Sequence, residues 1–157
     1  MKITVIWIGK TSESYYKDAI DVYEKRIGRY IPFSTVTIPD IKTGAGMLPE
    51  QLKQKEGIQI LSKVLPSDEF VLFDENGANH TSVSFAEWLE FRMITGVKNI
   101  VFCIGGAYGF SQDVYNRANS KISLSSMTFS HQMVRIIALE QIYRGMTIIK
   151  GEPYHHA

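Results

Sequence analysis

The sequence has a single cysteine, Cys103, which excludes an internal disulfide framework and a cysteine-built zinc cluster and fits a reducing cytosol. It has no apolar run near the roughly 20 residues that cross a bilayer. It has no excess of one charge. Its 17 Lys and Arg face 16 Asp and Glu, so bulk charge alone cannot hold bare nucleic acid, although a local basic patch can. There is no internal repeat, low-complexity tract or linker. Hydrophobic residues at 45% and charged residues at 21% exclude intrinsic disorder. A length of 157 residues predicts one domain over 1–157. The opening Met1–Ile8 imitates a signal peptide, but Gly9-Lys10 interrupts it and no small-residue cleavage site follows Ser12-Glu13. It reads as a buried strand of a cytoplasmic protein with no membrane partner.

Short apolar runs alternate with helix-period segments. Strands are expected at Ile3–Ile8, Phe33–Ile38, Glu69–Asp74, Asn99–Ile104 and about Ile122–Leu124. Helices are expected from Ser12 to about Ile27, from Pro49 towards Pro66, from Ser82 to Gly96, after Ser111, and from about Ser130 to Gly145. Asn76-Gly77 reads as a break at the end of the third strand. Five alternations of strand and helix predict an α/β fold with a mostly parallel sheet flanked by helices. Asn99–Ile104 is apolar on both faces and belongs mid-sheet. Ligands of such sheets bind at the carboxyl ends of strands, which directs attention to the residues after Asp74, Ile104 and Leu124.

Several tempting motifs fail. Gly9-Lys10-Thr11 lacks the P-loop's earlier glycine, since Thr4 stands at that position inside the strand. Gly105-Gly106-Ala107-Tyr108-Gly109 is not a dinucleotide fingerprint and follows the fourth strand rather than the first. No G-x-S-x-G is present. His155 and His156 are adjacent and cannot share a metal from one helix face, so no metal is expected. Cys103 reads as a small buried hydrophobe, and His80 as an exposed turn residue.

Others survive. Three glycines at 105, 106 and 109 let backbone approach a ligand, where a plain strand-to-helix turn needs one or two. Leu124–Phe129 offers hydroxyls, backbone groups and apolar side chains, although one of its serines can equally serve as a helix cap. The last helix, from Met133 to Tyr143, is apolar around most of its circumference and must be buried, with a subunit interface as the expected place. Glu140 and Arg144 are four apart and can pair. The tail Pro153-Tyr154-His155-His156 is too polar and aromatic for a simple frayed end. The first 30 residues carry six cations, Arg26 and Arg29 among them, against four acids, a modest basic end or an ordinary solvated face.

Taken together, Phe102–Gly109, Leu124–Arg135, Glu140-Gln141-Ile142-Tyr143-Arg144 and Pro153-Tyr154-His155 resemble the ribosomal RNA large subunit methyltransferase H family, of the SPOUT class of knotted methyltransferases. Lys2-Ile3-Thr4, Tyr23-Glu24-Lys25-Arg26 and the overall length fit as well. Three positions depart from the family's usual pattern: Phe73 for leucine, Ser130 for proline, and His156 where a Lys or Arg follows the first histidine.

The resemblance implies an α/β fold with a C-terminal trefoil knot, a homodimer, and S-adenosylmethionine as methyl donor without a metal. It implies methylation of N3 of a pseudouridine in large-subunit (23S) ribosomal RNA, on the assembled 70S ribosome. By position, cofactor contacts fall to Phe73, Gly105 and Gly106, and to Leu124, Ser125, Ser126, Met127, Thr128 and Phe129. Catalytic roles fall to Arg144, Tyr154 and His155, supported at the substrate by His131, Arg135 and Glu140. By chemistry, an imide nitrogen must lose its proton before it attacks a methyl group; an imidazole such as His155 can take it, a tyrosine can stack on the base, and Arg144 can stabilise the anion. Two other readings remain at this point: a ribosome-binding module with a relic cofactor pocket, and a small-molecule nucleotide enzyme of doubly wound type.

Overall fold

The computed structural model describes residues 1–156; Ala157, the last residue of the expected domain and of its tail, lies outside the described residues. The elements are β1 (Lys2–Ile8), α1 (Ser14–Ile27), β2 (Phe33–Ile38), α2 (Pro49–Leu61), β3 (Glu69–Asn79), α3 (Ser82–Ile94), β4 (Asn99–Ile104), α4 (Gln112–Arg117), β5 (Ser120–Ser123) and α5 (His131–Ile149). The five strands form one sheet in the order β2-β1-β4-β3-β5. Every pairing is parallel.

Strand alternation divides the core in two. Ile3, Val5 and Trp7 of β1, with Ile100, Phe102 and Ile104 of β4, point to the face covered by α1, α3 and α5. Ile6 and Ile8, with Val101 and Cys103, point to the face where Ile60 of α2 and Val114 of α4 lie. Apolar residues on both sides of β1 and β4 are what a doubly covered parallel sheet requires. Cys103 is fully buried, and burial pushes its thiol pKa well up, so it acts as core.

Two glycines read as stops prove to be points of close approach. β3 runs through Asn76-Gly77 to Asn79. Phe73 pairs with Ile122, the next four residues swing out of register, and Ala78 pairs with Ile122 again. At Gly77 a Cβ would lie 2.6 Å from the Ile122 backbone, so only glycine lets the excursion return against β5. Likewise α5 continues past Gly145 to Ile149. A Cβ at Gly145 would stand 3.0 Å from Leu89 Cδ1, where α3 packs on α5.

The apolar circumference of α5 has an explanation within one chain. Ala138, Leu139, Ile142 and Met146 are wholly buried between the sheet, α1 and α3. Each buried Leu or Ile contributes about 1.5–3 kcal/mol there. Met133, in the first turn, remains exposed. Among the described residues no helix is long and apolar enough to cross a membrane.

Candidate active site

The carboxyl ends of β3, β4 and β5 meet around a cavity of about 460 Å³. The β3 excursion supplies Asp74, Glu75 and Asn76, the β4 turn supplies Gly105 to Phe110, and the loop after β5 supplies Leu124, Ser125 and Met127 to Phe129. Phe73 forms part of the floor, stacked on Phe102 with ring centroids 5.0 Å apart. Of the cofactor positions expected from the sequence, Phe73, Gly105, Gly106, Leu124, Ser125, Met127, Thr128 and Phe129 border this cavity, and Ser126 does not.

The loop after β5 is held by its own serines. Ser123 Oγ donates to the Ser125 carbonyl at 3.1 Å, and Met127 N–H donates to Ser125 Oγ at 2.9 Å. The helix cap is a separate residue, Ser130, whose hydroxyl accepts from Met133 N–H at 3.3 Å. So Ser125 shapes the loop and Ser130 starts α5. Around the mouth, Tyr108 and Met127 stand out into solvent, Met127 with 78% of its surface exposed.

Three cavity residues were not among the expected site positions: Asp74, Tyr115 and Val134. Asp74 accepts from Tyr115 Oη at 2.5 Å and from Asn76 N–H at 2.8 Å, which fixes both of its oxygens. Burial, then that carboxylate, push Tyr115 up to about 12, so its hydroxyl stays a donor. Val134, one turn into α5, closes the apolar wall. Asp74 was findable as the first residue beyond the apolar run of its strand, whereas Tyr115 reaches the site only by tertiary packing from α4.

The turn after β4 also has a hidden support. Glu56 of α2 is only 6% exposed, and its carboxylate occupies the place where a Gly106 side chain would begin. Burial first and the Asp40 charge second raise its pKa. Gly106 is therefore small to admit Glu56 beneath the turn; the space on the sequence reading was assigned to ligand.

A second constellation lies where α1, α5 and the tail meet. Arg144 donates through Nη2 at 2.5 Å and through Nε at 3.0 Å to one oxygen, Glu140 Oε1, so the expected pair forms. Tyr154 Oη donates to the same oxygen at 3.2 Å, and its ring lies 4.8 Å from the Arg144 guanidinium carbon. Tyr143 packs edge-on against Tyr154 at 4.7 Å. Arg144 Nη1 and His155 Nδ1 are 3.3 Å apart. Arginine is always a donor, so this contact makes Nδ1 the acceptor and leaves the ring proton on Nε2. Burial, then the neighbouring Tyr23 hydroxyl, push Tyr154 up to about 12. The Glu140 hydrogen bond, the largest influence on Arg144, raises its pKa.

The structure thus gathers Glu140, Arg144, Tyr154 and His155 into one cluster, but none of them borders the cavity. Val134 and Arg144 are ten residues apart on α5, about 15 Å along its axis. Two expected substrate contacts behave differently. His131 is exposed at the first turn of α5. Arg135 is 3% exposed, donating to the Ile8 carbonyl at 2.7 Å and to Thr11 Oγ1 at 2.9 Å, and so ties α5 to the end of β1. His80 is also less exposed than read, edge-on to Phe85 with centroids 6.4 Å apart.

A family model described as a predicted SPOUT methyltransferase matches residues 1–155. Similar proteins include two named ribosomal RNA large subunit methyltransferase H. The one from Flavobacterium psychrophilum is 52% identical over 156 residues, and the one from Parabacteroides distasonis 53%, each covering 99% of both chains. Among solved structures, the SpoU methyltransferase AviRb from Streptomyces viridochromogenes, in complex with AdoMet, aligns with a TM-score of 0.46 at 8% identity, over 96% of this chain and 61% of that one.

Proposed function

Because the chain belongs to the ribosomal RNA large subunit methyltransferase H family of SPOUT methyltransferases, we propose that it methylates N3 of a pseudouridine in 23S ribosomal RNA, on the assembled ribosome in the cytoplasm. S-adenosylmethionine is the donor, and when bound it supplies an electrophilic methyl group. The family's C-terminal trefoil knot comes with this reading.

The cavity fits such a group. Its volume of about 460 Å³ suits a nucleoside with an amino-acid arm. Phe73, Leu124 and Val134 offer apolar surface for the base, the glycine turn offers backbone groups, and Asp74 and Glu75 offer acceptors for ribose hydroxyls or an ammonium.

The observation that carries the mechanism is the separation of this cavity from the Glu140–Arg144–Tyr154–His155 cluster within one chain. A methyl group and its acceptor must meet in line at contact distance. We therefore assign the catalytic cluster of each active site to a second copy of the chain, in a homodimer built around the exposed apolar rim at Met127, Phe129 and Met133. Arg144, kept in place by Glu140, stabilises the imide anion as N3 loses its proton. Tyr154 presents a ring on which the pseudouridine stacks. His155 has its Nδ1 lone pair directed at Arg144, so its Nε2–H is a donor to a base carbonyl, and the proton from N3 passes to solvent.

The deciding experiment is transfer of labelled methyl groups to ribosomes lacking the modification, with the product nucleoside identified. Labelled N3-methylpseudouridine in 23S RNA is the expected product. Tight ribosome binding without transfer would return the protein to the class of non-catalytic ribosome-binding modules.

A further inference from the structure

The tail carrying Tyr154 and His155 is held in place from outside α5. α5 ends in a Schellman motif: Gly151, at φ +66°, lets its own N–H reach the Ile148 carbonyl at 3.0 Å and the Glu152 N–H reach the Thr147 carbonyl at 2.9 Å. This turns the chain back from the helix axis. The Tyr154 N–H then bonds the Glu152 carbonyl at 2.9 Å, so Glu152 is the pivot from which the last residues hang. Its carboxylate accepts from Tyr30 Oη at 2.5 Å, across 122 residues of sequence.

Tyr30 is a rigid post. It follows α1 in a turn closed by the Tyr30 N–H to Ile27 carbonyl bond at 2.9 Å, and Ile31 beside it is buried in the core. The Tyr30 ring packs against Tyr143 with centroids 6.0 Å apart, which aims its hydroxyl at the tail. The Glu152 hydrogen bond, the largest influence, pushes Tyr30 up to about 12, so the donor proton persists at working pH.

We propose that Tyr30 is a positioning residue for methyl transfer: by donating to Glu152 it fixes where Tyr154 and His155 stand beside Arg144. The inference rests on the reading of the tail as part of the active site. The bond lies at the surface, so it adds little to global stability. The side chains of Tyr154 and His155 contact α5, with Tyr23 of α1 beside the Tyr154 hydroxyl, and the Tyr30 bond ties the turn before them to the chain after α1.

The test is Tyr30→Phe, which keeps the ring and removes the donor, assayed for methyl transfer to unmodified ribosomes. The expected result is a kcat lowered about three- to tenfold, with KM for ribosomes, S-adenosylmethionine affinity and thermal midpoint nearly unchanged. Glu152→Ala should reproduce the loss and Glu152→Gln, which keeps a neutral acceptor, should lose less. If Tyr30→Phe misfolds, Glu152→Ala decides, since that side chain is exposed. Once residues 154–157 are deleted, Tyr30→Phe should have no further effect. A wild-type kcat in Tyr30→Phe, or an undiminished effect in the truncated chain, overturns the latch. A truncated chain as fast as wild type overturns the tail reading itself, which separates the two failures.

Discussion

The Glu56 carboxylate stands where a side chain on Gly106 would begin: a Cβ built there lies 2.7 Å from Oε2 and 2.8 Å from Oε1. A residue of α2 therefore sets the height of the turn that borders the cavity, from the side away from it.

Gly106→Ala should push that carboxylate aside and lift the turn. S-adenosylmethionine affinity should fall about tenfold, while the double variant Gly106→Ala/Glu56→Ala should recover to within about threefold of wild type, because contacting residues couple. Calorimetric titration of the three proteins measures this. Equal weakness of single and double variants would place the defect in the cavity itself.

Glu56 also makes stability pH-dependent. Its folded pKa is raised, chiefly by burial, so its contribution is complete below the unfolded carboxyl value of about 4.3 and is lost as pH rises through the folded value. Glu56→Gln has no charge to bury. It should raise the thermal midpoint most at about pH 7–8 and progressively less as pH falls towards about 4.5. A midpoint difference independent of pH would contradict the burial of a charged carboxylate here.

Gly77→Ala meets an obstacle that cannot swing away, since the nearest atoms are the Ile122 backbone N and C, both at 2.6 Å. We expect a loss of about 2–4 kcal/mol in denaturant unfolding. Affinity for the cofactor should fall further than stability alone requires, because both the β3 excursion and the loop after β5 depend on this contact. Wild-type stability would mean that β3 and β5 can part without cost.

Division of the site between two copies is open to complementation. A Gly106→Val chain and a chain lacking residues 154–157 should each keep only a small, measurable residue of activity as homodimers. After subunit exchange, half the dimers are mixed and each mixed dimer keeps one intact site, giving about one quarter of wild-type activity. A mixture that stays at that residue, with sedimentation confirming exchange at about twice 17.8 kDa, would put the whole site within one chain.

What could be read from sequence was what depends on local pattern. The two-faced apolar strands at Ile3–Ile8 and Asn99–Ile104 announced a covered parallel sheet, and the spacing of Glu140 and Arg144 announced their pair. Glycine was the weak point. Gly77 and Gly145 look like stops in one dimension, and only a neighbouring strand or helix explains why each interrupts nothing. The buried circumference of α5 was legible, and within one chain α1 and α3 cover part of it while Met133 in its first turn stays exposed. Glu56, Tyr115 and Tyr30 act through contacts tens of residues away, which no spacing rule reaches. The resemblance supplied positions for the tail and the loops; the geometry separated them into two groups and placed Arg135 in a buried tie between α5 and β1.

The bond between Tyr30 and Glu152 spans 122 residues, and this fixes an order of events during synthesis. At about 5–20 residues per second, Tyr30 leaves the peptidyl-transferase centre roughly 6–24 s before its partner is made. The first helix can be in position long before then, but Tyr30, in the turn after it, has no Glu152 to bond until α5 and the turn beyond it have been made. The order of manufacture thus acts as a timer: this contact closes only after Glu152 has been made and α5 has docked, however early the residues around Tyr30 fold.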